Sequence, residues 1–177
     1  IKPNALILID YPGFNLRVAP IAKKKGIKIY YFIPPKIWAW NTSRIFQIKK
    51  YIDHVFCILP FEIEFYKKHE CKADFFGHPL VEEIRNFSFS GNFRKNNNLS
   101  SKPIIALLPG SRKQEIERIA PKMIEIITFF PECQFVMGGA PGISLNDYHA
   151  ILGNLKIPIL FDQTYDLLKN SSLALVA

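Results

Sequence analysis

The sequence predicts an α/β fold built from two doubly wound, parallel-sheet (Rossmann-like) domains, and three observations carry that expectation. Short apolar runs of strand length alternate with segments of helical period, which is the pattern of βα units. The runs are apolar throughout rather than at every second residue, as in Asn4–Ile9 (NALILI) and Ile104–Leu108 (IIALL), and such strands favour parallel sheets covered on both faces. The array is interrupted once, by the Asn- and Ser-rich stretch 86–102, which has no strand or helix period. We therefore expect domains at 1–85 and 103–177, with 86–102 as a linker.

The elements follow in order. Asn4–Ile9 predicts a strand, Asn15–Lys25 a helix broken by Pro20, and Ile27–Ile33 a strand ended by Pro34-Pro35. Thr42 or Ser43 can cap a helix to Tyr51, with Ile45, Ile48 and Ile52 on one face. Val55–Leu59 predicts a strand, Phe61–His69 a helix, Ala73–Phe76 a strand, and a short helix follows Pro79. Beyond the interruption come strand Ile104–Leu108, helix Arg112–Phe130, strand Gln134–Met137 and helix Ser144–Leu152. Strand Ile157–Phe161, helix Asp166–Asn170 and strand Leu173–Val176 complete the series. Ligands of such folds bind beyond the carboxyl ends of the strands.

Composition narrows the function classes. Of the 177 residues, 49% are hydrophobic and 21% charged, a globular balance. No apolar run reaches the ~18 residues of a membrane-spanning helix. The three cysteines form no Cys-x-x-Cys, and the histidines no metal-ligand spacing, so a disulfide scaffold, zinc ribbon or metal cofactor is not expected. The net charge is +8 and sits largely in one interval. Between Asp10 and Asp53 there is no acidic residue, but there are Arg17, Lys23, Lys24, Lys25, Lys28, Lys36, Arg44, Lys49 and Lys50. A concentrated positive field suits an anionic partner, and a solvated basic surface is the plainer reading. No nucleic-acid-binding motif is present. The chain opens on Ile1-Lys2-Pro3 and closes on a strand, so we expect part of a longer protein, with both domains incomplete.

Six segments lie after predicted strands. Leu108-Pro109-Gly110-Ser111-Arg112 leads into a helix, with Ser111 and Gln114 spaced as a capping box. Gly110 lets the backbone approach a ligand closely, the helix start offers free N–H groups, and Arg112 offers a fork for phosphate oxygens. A solvated Arg112 on a capped helix is the alternative. Ile9-Asp10-Tyr11-Pro12-Gly13-Phe14-Asn15 puts Asp10 at a strand end, as a general base or as a turn aspartate. Asn15 can bind substrate or cap the helix. Trp38 and Trp40, with Arg44 behind them, can stack on a ligand, meet a membrane interface or fill a gap between helices. Glu62 follows a third strand, where it can serve a ligand or the helix dipole. Gly77-His78-Pro79 follows a fourth, where His78 can bond a phosphate or the backbone. Gly138-Gly139-Ala140-Pro141-Gly142 is a weaker loop candidate.

In their order and spacing, Ile9–Asn15, Ile37-Trp38-Ala39-Trp40, Leu59-Pro60-Phe61-Glu62, Gly77-His78-Pro79-Leu80 and Leu107–Arg112 resemble the lipid-A-disaccharide synthase family, bacterial glycosyltransferases of the GT-B fold. The resemblance implies an inverting, metal-independent transfer needing no cofactor. Its donor is UDP-2,3-diacylglucosamine, its acceptor 2,3-diacylglucosamine 1-phosphate (lipid X), and UDP is released. It implies that 1–85 belongs to the acceptor-side domain and 103–177 to the donor domain. It makes Asp10 the base on the acceptor 6-hydroxyl and Arg112 a ligand of a UDP phosphate. Asn15, Trp38, Trp40, Arg44, Glu62, Gly77, His78, Gly110 and Ser111 are then substrate-binding candidates. Some relatives carry an acidic residue where this chain has Gly13. The family is cytoplasmic, peripheral to the anionic inner membrane and commonly dimeric. Rival readings are another GT-B enzyme acting on UDP-sugars, such as a UDP-N-acetylglucosamine 2-epimerase or a peptidoglycan glycosyltransferase, and a non-catalytic basic module binding anionic membrane.

Overall fold

The computed structural model describes residues 3–177, and the chain divides into two compact units, Ile1–Asn86 and Phe87–Ala177. The first unit runs β1 (Ala5–Ile9), α1 (Pro12–Lys24), β2 (Lys28–Phe32), α2 (Ile37–Trp40) and a 3-10 turn at Thr42–Arg44. It continues with α3 (Ile45–Tyr51), β3 (His54–Cys57), α4 (Glu62–Lys68), β4 (Ala73–Phe75) and α5 (Pro79–Asn86). The sheet is parallel in the order β1-β2-β3-β4.

Two details depart from the sequence expectation. Helix α1 starts at Pro12, a position where the missing N–H costs nothing, and runs through Pro20. Its buried face, Leu16, Ala19 and Ala22, is packed into the core, and this packing carries the helix past the one N–H that Pro20 lacks. Neither Thr42 nor Ser43 caps a helix; Ser43 Oγ bonds Asn41 Oδ1 at 3.0 Å, and the 3-10 turn leads into α3.

The register sets one row of side chains inward. Leu8, Tyr31, Val55 and Ala73 are aligned across the four strands and buried. The neighbouring row, Ile9, Phe32, Phe56 and Asp74, points to the opposite face. The strand order follows the sequence, so right-handed crossovers place the helices on one face. On the other face, Ile7 and Ile9 are more than half exposed, and Tyr30 stacks on Phe56.

The second unit runs α6 (Phe93–Asn96), β5 (Ile104–Leu108), α7 (Lys113–Ile124) with a 3-10 extension at Glu125–Phe129, and β6 (Gln134–Gly139). It ends with α8 (Leu145–Leu152), β7 (Ile159–Phe161), α9 (Thr164–Asn170) and β8 (Leu173–Val176). The parallel order is β7-β6-β5-β8. Here both faces are covered. Ile105, Leu107, Phe135 and Met137 pack with Ile116, Ala120 and Met123 of α7 and Tyr148 and Leu152 of α8. Ile104, Ala106, Val136 and Leu160 pack with Phe93 of α6 and Leu167 of α9.

The stretch expected as a linker is therefore packed against the second unit from residue 87 on. Phe93 is buried in its core, Ser90 N–H donates to Asp166 Oδ1 at 2.7 Å, and the Asn97 amide pairs with Gln163. One buried aromatic anchors a segment that has no periodicity of its own. Of the loop candidate Gly138–Gly142, Gly138 and Gly139 belong to β6, where a Cβ would lie 2.6 Å from Leu108 Cδ2 and 2.5 Å from the Phe161 ring, respectively, so close packing within the sheet accounts for these two glycines. Among the described residues no helix is long and apolar enough to cross a membrane.

Candidate active site

In the first unit all four candidate segments fall at the carboxyl edge of the sheet, because each follows a parallel strand. Asp10 and Tyr11 leave β1 with φ of 45° and 38°, a left-handed conformation that is costly for tyrosine. Two side chains hold them there. The buried Asn15 amide donates to the carbonyls of Ile9 (3.0 Å) and Asp10 (2.6 Å), and the Tyr31 hydroxyl donates to the Asp10 carbonyl (2.8 Å). Burial pushes the Tyr31 phenol up to about 12, so it remains a donor at neutral pH. Asn15 thus positions the Asp10 loop. Tyr31, in the middle of a strand, carries no motif that would have marked it for this task.

Asp10 lines a cavity of about 230 Å3 together with Lys36, Trp40, Arg44 and Glu62. Trp40 is 84% exposed. Trp38 stands behind it, its ring edge on Phe61 and its Nε1–H donating to Glu62 Oε1 at 3.2 Å. Glu62 is buried, and its Oε2 accepts the N–H groups of Ile58 (3.2 Å) and Leu59 (3.0 Å). Both carboxylate oxygens are therefore occupied by the protein, and Glu62 organises the β3–α4 turn and Trp38. At the end of β4, Gly77 adopts φ 108°, and His78 Nδ1 accepts the Leu80 N–H at 3.2 Å, at the start of α5. Gly77 and His78 are not in the lining of the Asp10 cavity.

In the second unit, β5 connects through α7 to β6 on one side, the chain returns from β7 through α9 to β8 on the other side of β5, and the loop after β5 sits at this switch point. Open parallel sheets bind ligands at such a point. The loop is Pro109-Gly110-Ser111-Arg112, and Gly110 has φ 113°. A Cβ there would lie 2.6 Å from Glu115 Oε2, so the position requires glycine. The capping pair is not Ser111 with Gln114. Glu115 reaches back so that its Oε2 accepts the N–H groups of Ser111 and Arg112, both at 3.1 Å, and its Oε1 accepts Arg112 Nη1 at 2.6 Å. The Arg112 guanidinium and the two N–H groups hold the Glu115 carboxyl below its ordinary range. Arg112 is the first residue before α7 and its side chain is largely exposed. The loop thus presents one guanidinium and two N–H groups to a carboxylate, the donor set that an anion uses. The three-residue spacing from Arg112 to Glu115 was the available sequence signal for this pair.

Among the described residues no group of three or more His, Cys, Asp or Glu side chains is placed to hold a metal ion.

Comparison with known proteins gives the arrangement a context. By structure, the chain is similar to a UDP-GlcNAc 2-epimerase from Neisseria meningitidis bound to UDP-GlcNAc, with TM-score 0.64, 11% identity, and coverage of 99% of this chain and 54% of that one. The S. aureus MnaA–UDP co-structure gives TM-score 0.64 at 12% identity, with 99% and 52% covered. These likenesses establish the fold, two parallel α/β units of the kind found in GT-B-type UDP-sugar enzymes. By sequence, the chain is 38% identical over 174 residues to the lipid-A-disaccharide synthase of Trichlorobacter lovleyi, covering 94% of this chain and 45% of the relative. It is 41% identical to the Coxiella burnetii lipid-A-disaccharide synthase over 155 residues (85% and 41% covered). It is 43% identical to lipid-A-disaccharide synthase 1 of Legionella pneumophila over 168 residues (92% and 44% covered). The chain thus spans less than half the length of these relatives. Residues 1–141 match the family model described as LpxB, lipid-A-disaccharide synthetase, and the chain belongs to that family.

Proposed function

We propose that the protein of which this chain forms part is a lipid-A-disaccharide synthase, transferring 2,3-diacylglucosamine from UDP-2,3-diacylglucosamine to lipid X with release of UDP. The observation that carries this reading is a clamped, exposed Asp10 lining a cavity with Lys36 and Arg44, in a chain of that family. Residues 1–85 serve the acceptor and 103–177 the donor.

Asp10 accepts the proton of the acceptor 6-hydroxyl as its oxygen attacks C1 of the donor sugar. The new O6–C1 bond forms on the face opposite the nucleotide, the bond from C1 to the diphosphate oxygen breaks, and the configuration inverts. Negative charge grows on the departing diphosphate. Arg112 and the N–H groups of Ser111 and Arg112 meet that charge in exchange for the Glu115 carboxylate, which supplies leaving-group stabilisation without a metal. Trp40 and the basic interval hold the enzyme to the cytoplasmic face of the anionic inner membrane, where both lipids reside. The enzyme works there as a dimer, as the family resemblance implies.

The test uses the full-length protein with both lipid substrates in mixed micelles. Formation of the β-1,6-linked disaccharide 1-phosphate is followed by mass spectrometry, with EDTA present in one arm. Asp10→Asn should abolish transfer while UDP still binds, and Arg112→Ala should lose most turnover without unfolding. Wild-type rates in either variant remove that residue from the mechanism, and absence of product from the unaltered enzyme removes the proposal.

A further inference from the structure

Next to the Asp10 cavity lies a second, more polar cleft of about 400 Å3, lined by Gly13, Arg17, Asn41, Ser43, Arg44 and Gln47 among others. The two spaces adjoin, since Pro12 and Arg44 line both. No acidic residue lines this cleft. Among the described residues, neither Arg17 nor Arg44 forms an ion pair. Of the other cations of the acid-free interval, Lys23 and Lys28 are committed to Asp53, at 2.7 and 3.7 Å, and Lys49 to Glu70, while Lys24, Lys25, Lys36 and Lys50 also form no ion pair among the described residues but lie outside the lining of this cleft. Two guanidinium groups without a protein carboxylate thus converge on one polar cleft, flanked by the side-chain amides of Asn41 and Gln47 and the hydroxyl of Ser43.

We infer that this cleft is a phosphate-monoester subsite, with Arg17 and Arg44 as its cationic walls, and that it takes the 1-phosphate of the acceptor sugar. The inference rests on the transferase reading and deepens it. Guanidinium forks match the oxygens of a phosphate two at a time, and a dianionic monoester satisfies two of them. In a hexosamine 1-phosphate, the phosphate and the 6-hydroxyl project from positions flanking the ring oxygen. Two adjoining spaces, one holding the general base and the other the arginine pair, match that separation of functions across one sugar ring. Arg44, common to both, sets the register between them. Arg17 lies two residues past Asn15, on the helix that Asn15 ties to the Asp10 loop. A phosphate bound at Arg17 would therefore help fix where the 6-hydroxyl sits relative to Asp10.

The experiment has two parts. First, the 177-residue chain is titrated with glucosamine 1-phosphate, glucosamine, inorganic phosphate and phosphatidylglycerol vesicles, while the arginine Nε–H resonances are followed by NMR. Shifts at Arg17 and Arg44 with glucosamine 1-phosphate, weaker with inorganic phosphate and absent with glucosamine, are expected. Inorganic phosphate binding as well as the sugar phosphate, or a response to vesicles alone, overturns the assignment, in favour of a general anion site or a lipid surface respectively. Second, in the full-length enzyme, Arg17→Ala and Arg44→Ala should each raise KM for lipid X by about tenfold or more, the loss of a charge-assisted contact. KM for UDP-2,3-diacylglucosamine should stay within about twofold, and Arg17→Lys should recover part of the loss. If the enzyme transfers sugar but both alanine variants keep the wild-type acceptor KM, the phosphate subsite is refuted and the transferase reading stands. If the unaltered enzyme transfers nothing, that reading fails and the acceptor assignment falls with it.

Discussion

Replacing Glu62 by glutamine separates a structural carboxylate from a substrate-binding one. Glu62 is 1% exposed and accepts three N–H groups, from Trp38, Ile58 and Leu59, at 3.0–3.2 Å. A glutamine side chain has the same shape, but its one oxygen can keep only the two backbone donors. Its NH2 group then faces the indole N–H of Trp38, donor against donor. One charge-assisted bond is lost and two become neutral bonds. Hydrogen bonds to charged groups contribute about 1.5–3 kcal/mol and neutral ones about 1 kcal/mol, so the first unit should lose about 2–4 kcal/mol. With a urea m-value of about 1–1.5 kcal/mol/M, its midpoint should fall by about 2 M. Both tryptophans of the chain, Trp38 and Trp40, lie in this unit, so tryptophan fluorescence follows its unfolding selectively. Glu64→Gln, exposed in the same helical turn, is the control and should stay within about 0.5 kcal/mol of wild type. A wild-type midpoint for Glu62→Gln would refute the reasoning and return Glu62 to the list of groups free to meet a ligand.

Three further outcomes are expected. Asn15→Ala should destabilise the first unit by about 1–3 kcal/mol, and Tyr31→Phe by about 1 kcal/mol. Because both side chains hold the Asp10 carbonyl, the double variant should depart from additivity by at least about 0.5 kcal/mol, whereas simple addition would show that the loop does not depend on the shared clamp. Gly110→Ala should destabilise the second unit by about 1–3 kcal/mol through its φ of 113° and the clash with Glu115, and Glu115→Ala should relieve only part of this; thermal melts by circular dichroism decide the matter. Asp147 is held down to about 2 by the Ser144 hydroxyl, Lys113 and the Ser144 N–H. Its folded value lies below the unfolded one, so its contribution is fully present above about pH 4 and is lost as pH falls towards 2. Amide exchange at the start of α8 should accelerate in that window, and a flat profile there would contradict the assignment.

The strands were legible in sequence because a parallel strand buried on the helix-covered side leaves an apolar run that needs no partner to be recognised. The loops after them were legible because Pro, Gly and charged residues crowd where such runs stop. Most of the motif positions therefore reached the expected edge of their sheets: Asp10, Lys36 and Glu62 in the first unit, Arg112 in the second. The ends of elements were less legible. Pro20 marked a break that packing overrode, and Ser111-x-x-Gln114 imitated a capping box that Arg112 and Glu115 in fact supply. The segment 87–102 lacked any period, yet the burial of Phe93 anchors it to the second unit.

What the amino-acid order determined by itself was a parallel α/β architecture, its charge imbalance and the chain positions of its candidate chemistry, since all of these depend on neighbours within a few residues. Tertiary structure decided which of those groups remain available. Glu62 and Asn15 each read as serving either a ligand or the local helix, and folding brings Trp38, 24 residues away, together with the nearby N–H groups of Ile58 and Leu59 to the one and the carbonyls of Ile9 and Asp10 to the other. Arg17 read as one charge among nine and Arg44 as a binding candidate behind the tryptophans, and only folding set the two around a single cleft. A hydrogen-bond donor or acceptor is free or occupied according to what the fold places within about 3 Å of it, and that distance is not written in the local sequence.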